Sequence, residues 1–172
     1  SDVVAGLLVV ATETTAQVID RRRLSCIGSL ARALVGATSI ESVTNASIDA
    51  LQDCVAATGI AIDMVLTDSV VRIASLPGHR AEAPDPALVR EVANSPRPIV
   101  LDQTWEPGRP ASRVAFTIDH PELRTVVTVA TNRSRPFDED YEQFIDLVRA
   151  TMSASMTAAL VRPAEIGALR TI

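Results

Sequence analysis

Residues 60–76 read IAIDMVLTDSVVRIASL, two apolar, β-branched runs on either side of Asp68-Ser69. Runs of this length around so tight a turn predict a hairpin, strand Ile60–Thr67 against strand Val70–Leu76. Pro77-Gly78 then breaks the second strand. Upstream, Ile40, Val43, Ser47, Leu51 and Cys54 recur at helical spacing, and Gly59 follows the end of that helix. Thr38 or Ser39 caps it, with Glu41 three residues after Thr38 in the pattern of a capping box. An earlier helix, roughly 14–35, carries Ile19, Cys26, Ile27, Leu30 and Leu34 on its apolar stripe. Gly36 suits the left-handed residue that closes such a helix.

Downstream of the hairpin, Asp85 and Pro86 form the N-cap and first position of a short helix that ends before Ser95-Pro96. Three strands follow: Pro98–Asp102, Arg113–Asp119 and Arg124–Asn132, with a loop over Asp102–Ser112. Asp138 caps the last helix, and Glu139 and Asp140 place negative charge against its dipole. Tyr141, Phe144, Ile145, Val148, Met152, Met156 and Leu160 keep one stripe for six turns, and Pro163 is expected to end it. The order α-α-β-β-α-β-β-β-α predicts an α+β domain. A mostly antiparallel sheet carries the long N- and C-terminal helices on one face, with the short helix and loops on the other.

The composition narrows the class. At 172 residues the chain suits one domain, and a chain of this size buries about 70% of its unfolded surface without staples. Aromatic residues are 3% of the chain, so the core must be built from its 25 Ala, 20 Val, 14 Leu and 12 Ile. A net charge of −5 without charge blocks argues against binding phosphate backbones. No apolar run reaches the length of a membrane span. Cys26 and Cys54 are too few for a disulfide framework or a zinc site; they read as buried thiols in a reducing cytoplasm. An exposed redox-sensing thiol beside Arg22 and Arg23 is the alternative for Cys26.

Three segments carry a resemblance. Gly6 to Thr15 resembles the closing strand of a PAS domain with the start of a linker helix. Val89-Arg90-Glu91-Val92 through Arg97-Pro98-Ile99-Val100-Leu101-Asp102 resembles a helix, turn and strand of GAF domains. Arg135 to Tyr141 resembles the start of the final helix of that family. Together they are similar to the GAF domain of actinobacterial multidomain sensors, in which a PAS domain precedes and a histidine kinase or serine phosphatase follows. The resemblance implies a PAS-like terminal strand over 1–13, a linker helix over 14–36, a GAF domain over 37–163 and a tail over 164–172 leading toward an output domain. On this reading the run Val3–Thr12 is an orphan strand, and the chain is a fragment of a longer protein. Pro163–Ile172 carries no H-E-x-x-P phosphoacceptor box and no glycine-rich ATP lid, so this segment is not the kinase.

The resemblance and strand parity together imply a small-molecule pocket lined by Met64, Leu66, Ser75, Val89, Val92, Leu101, Trp105 and Phe116, with His79 in a loop above it. Trp105 stands out in an aromatic-poor chain, either as a lid on the core or as a stacking platform. His79 and His120 read as loop histidines, and no His/Cys/Asp/Glu spacing offers a metal site. Asn132-Arg133 and Phe137-Asp138-Glu139 echo a cyclic-nucleotide motif at the wrong separation; helix capping accounts for those acids. No nucleophile elbow or acid–base pair is legible, so no catalysis is expected, and no cofactor is identified. Asp63, inside an apolar strand, is either solvated at the sheet edge or paired with an Arg.

The function this implies is a non-catalytic cytoplasmic sensor domain that binds a small molecule and signals through its terminal helices; the alternative is a ligand-free dimerisation module. Leu147, Thr151, Ala154, Ala158 and Val161 make a second, small apolar surface on the last helix. With Ile19, Ile27, Leu30 and Leu34 of the first helix, it predicts a parallel homodimer.

Overall fold

The computed structural model describes residues 18, 20–55, 57, 59–76, 85–101, 113–118, 120, 123–130 and 137–169, with side chains to 159. Helix α1 covers residues 20–34. It is followed by α2 (Ile40–Val55), β1 (Gly59–Val65), β2 (Val70–Ser75), α3 (Pro86–Ala93), β3 (Ile99–Val100), β4 (Arg113–Ile118), β5 (Arg124–Ala130) and α4 (Glu139–Leu169). The element order is the one the sequence predicts. The five strands form one sheet in the order β2-β1-β5-β4-β3, with every pair antiparallel. The segments 1–17, 77–84 and 102–112 fall outside the described residues, and with them the orphan strand, Ile19, His79 and Trp105.

Sheet parity assigns each side chain to a face. Ile60 and Ile62 of β1, Val114, Phe116 and Ile118 of β4, and Val127 and Val129 of β5 point to one side. There they pack with Cys26, Leu30 and Leu34 of α1, Val43, Ile48 and Leu51 of α2, and the buried stripe of α4. Ala115 and Val126 point to the other side, against Val89, Val92 and Ala93 of α3. The three long helices thus share one face and α3 covers the other, as expected.

The helix ends show how local chemistry places these elements. Gly36 takes φ 86°, the left-handed geometry that turns the chain from α1 into α2. Ser39, rather than Thr38, caps α2: its Oγ accepts from the Ser42 N–H at 3.1 Å, and Ser42 Oγ accepts from the Ser39 N–H at 3.0 Å. The reciprocal partner is therefore Ser42 and not Glu41, because a short hydroxyl three residues on reaches back as well as a carboxylate does. Asp85 Oδ1 accepts from the Ala87 N–H at 2.9 Å and Asp138 Oδ1 from the Tyr141 N–H at 2.9 Å, fixing the starts of α3 and α4.

Three expectations are corrected. Helix α4 runs through Pro163 to Leu169, so Pro163 does not end it and residues 164–169 are helical. A proline inside a helix removes one backbone hydrogen bond, and the turns on either side persist around it. Cys26 and Cys54 are not free thiols: they form a disulfide between α1 and α2, with Cα atoms 5.1 Å apart. Each cysteine sits on its own helix stripe, and the α1–α2 turn brings the two sulfurs together. Finally, Leu30 and Leu34 are buried in the domain's own core and Ile27 packs partly buried against it, so these three side chains do not face outward.

Candidate ligand-binding face

The face under α3 differs in chemistry from the face under the long helices. Across β1 and β5, Asp63 stands opposite Val126, and across β4 and β5, Thr117 stands opposite Val126 as well. Asp63 and Thr117 therefore lie on the α3 side, flanking one valine. Asp63 is 2% exposed. Arg72 Nε donates to its Oδ1 at 2.8 Å and Arg72 Nη2 to its Oδ2 at 3.2 Å, a two-point ion pair. Of the two sequence readings for Asp63, pairing with an arginine is the one realised. Thr117 Oγ1 donates to the carbonyl of Val92 at 2.9 Å and fastens the last turn of α3 to the sheet. Arg124 Nη1 donates to Asn94 Oδ1 at 2.7 Å and holds the cap of that helix from the next strand.

The predicted lining residues divide between the two faces. Val89, Val92 and Leu101 gather on the α3 side. Ser75, opposite Ala61 in the register, points the same way and is exposed. Phe116, fully buried, belongs to the core under the long helices, and Met64 shares its parity. Leu66 lies beyond the end of β1, where its N–H donates to the Ser69 carbonyl in the hairpin turn; it is 43% exposed. One face thus carries Ser75, Val89, Val92 and Leu101, without Met64, Leu66 or Phe116. The sequence list overlooked Arg72, Ala115, Thr117 and Val126 on that face. Strand alternation holds the signal for them: once Phe116 is assigned to the core, Ala115 and Thr117 must face α3.

At the opposite side of the domain, the start of α4 gathers Phe137, Tyr141 and Phe144, with ring centroids 5.4 and 6.0 Å apart in sequence. Arg23 of α1 lies over the Tyr141 ring at 6.0 Å and reaches Asp138 at 4.0 Å. This junction ties the entering helix to the leaving helix.

Neither the protein-family models nor the curated protein sequences yield a match to the chain. Solved structures do. The GAF domain of a phosphoenolpyruvate-protein phosphotransferase from Coxiella burnetii superposes with a TM-score of 0.60 at 14% identity, covering 84% of this chain and 98% of that one. The GAF domain of the potassium sensor histidine kinase KdpD from Escherichia coli gives 0.62 at 11% identity, covering 82% and 97%. The free methionine-R-sulfoxide reductase from Neisseria meningitidis, solved with its substrate, gives 0.54 at 11% identity, covering 81% and 91%. The chain has an α+β, GAF-like fold. Among its structural neighbours are GAF domains of larger proteins and a reductase, so the fold alone does not assign chemistry.

Proposed function

We propose that the chain is a non-catalytic sensory domain of a cytoplasmic signal-transduction protein. It binds a small molecule on the α3 side of the sheet and transmits through α1 and α4. The observation that carries this reading is the asymmetry of the sheet. Three long helices seal one face with apolar side chains, whereas an eight-residue helix covers the other, where Asp63, Arg72 and Thr117 lie. Ligand sites favour apolar walls with a few fixed polar groups, and this face supplies that combination. In the multidomain arrangement the sequence resembles, a PAS domain precedes this one and a histidine kinase or phosphatase output follows.

A thermal-shift screen against cyclic nucleotides, purines, amino acids and haem tests the reading. A ligand at 100 times its Kd adds about 2.7 kcal/mol, roughly 5–10 °C in Tm for a domain of this size. Silence across the screen would favour a ligand-free interaction module instead.

That second reading has support of its own. Helix α4 leaves Leu147 52% exposed, and Ala150, Ala154, Thr157 and Ala158 continue outward from it at spacings of three and four residues. On α1 Leu24 is 70% exposed and Ala31 is exposed as well, and Val35, in the turn after the helix, is 80% exposed. These replace Ile27, Leu30 and Leu34 as the contacts of a parallel homodimer through the two terminal helices. Small residues at such spacing admit a second helix closely. Light scattering should report a dimer, and Ala154→Glu or Ala158→Glu should convert it to a folded monomer. A wild-type monomer at high concentration would remove the pairing from this domain.

A further inference from the structure

The Cys26–Cys54 disulfide joins two helices that a short turn over 35–39 already connects. A second tie between such neighbours fixes the angle between them. Cys26 lies near the middle of α1, packed in the core, and Cys54 lies in the last turn of α2, half-buried. Cys54 is thus the more exposed residue of the pair. Apart from the bond, α1 is held by Ile27, Leu30 and Leu34 against the core and by Arg23, which lies over the Tyr141 ring at 6.0 Å and reaches Asp138 at 4.0 Å. A partly exposed ion pair at that distance holds little.

We propose that Cys26–Cys54 is a redox-active clasp, a site of thiol–disulfide exchange with a small dithiol or a dithiol protein. Its state sets how tightly α1 lies on the domain. One thiolate of the dithiol attacks Sγ of Cys54 in line with the S–S bond, and Cys26 departs as a thiolate. The second thiolate of the dithiol then attacks its own mixed sulfur and releases Cys54. Two electrons and two protons pass to the protein, and the dithiol becomes a disulfide. A disulfide-class oxidant reverses the steps. Arg23 precedes Cys26 by three residues on the same helix, so its positive charge favours the departing thiolate. This input is separate from the α3 face, so it stands whether or not that face binds a ligand.

The test is a titration of the native protein with reduced and oxidised dithiothreitol, read by maleimide mass-tagging and by amide hydrogen exchange. The expected result is one reversible transition in which both cysteines become taggable together. Exchange over residues 20–34 should accelerate about tenfold or more on reduction while β1 and β5 keep their protection. Cys54→Ser should show the fast exchange in either buffer; if that variant does not fold, the wild-type titration decides alone. Three outcomes overturn the proposal: both thiols free in oxidising buffer, a bond that opens only on denaturation, or reduction that leaves exchange over 20–34 unchanged.

Discussion

Asp63 on β1 and Arg72 on β2 are direct cross-strand partners, and their two-point ion pair sits where the β1–β2 register shifts. Ile73 is the extra residue on β2, between Arg72 opposite Asp63 and Ala74 opposite Ile62. A bulge re-aims the side chains beside it, and here it coincides with the arginine that meets the buried carboxylate.

Arg72→Ala should cost about 3–5 kcal/mol, because it strands a buried carboxylate. Replacing both partners, Asp63→Leu with Arg72→Met, should recover most of that loss. Urea unfolding of the two single variants and the double variant measures the cycle. If Arg72→Ala costs no more than an exposed substitution, Asp63 is not dependent on this partner.

Phe116→Ala should destabilise the domain by about 3–5 kcal/mol without abolishing a ligand-induced thermal shift. Phe116 faces the long helices, away from α3. A variant that stays folded yet loses the ligand response would place the ligand on the opposite face.

Ser39→Ala and Ser42→Ala should each cost about 1 kcal/mol, since each hydroxyl satisfies an orphan N–H at the start of α2. The double variant should cost less than the sum, because the two hydroxyls form one reciprocal unit. Additive costs would show that the caps act separately.

Pro163→Ala should lengthen the lifetime of the last turns of α4. Relative to alanine, an interior proline weakens a helix by about 3 kcal/mol, so amide exchange over 164–169 should slow in the variant. Unchanged exchange there would mean that these turns do not depend on the local ladder.

Periodicity made most of the architecture legible: the α4 stripe, the hairpin and the Asp85-Pro86 start of α3 can all be read from single segments. Pro163 reads as a stop from its local cost, but a long helix can absorb one missing bond. The candidate site was less legible. Met64 and Phe116 share one strand parity and lie on the side of the sheet opposite Val89 and Val92, which the apolar runs alone do not reveal. Which face a parity class occupies depends on the helices above it, and that is long-range information. The disulfide was hidden for the same reason: Cys26 and Cys54 each look like ordinary stripe residues until the α1–α2 turn makes them neighbours.

The sheet order has a consequence for biosynthesis. Strand β1 lies between β2 and β5, yet β5 is the last strand to be made among the described residues. While β5 is still inside the ribosome, β1 has a finished partner on one side and a bare ladder on the other, with Ile60 and Ile62 awaiting Val127 and Val129. The centre of the domain therefore closes late, after β2, α3, β3 and β4 have emerged. Such distant pairing is slow and leaves the nascent chain open to mispairing. A premature stop after Ser75 and before Arg124 would leave β1 paired with β2 on one side and bare on the other, a target for chaperones and proteases.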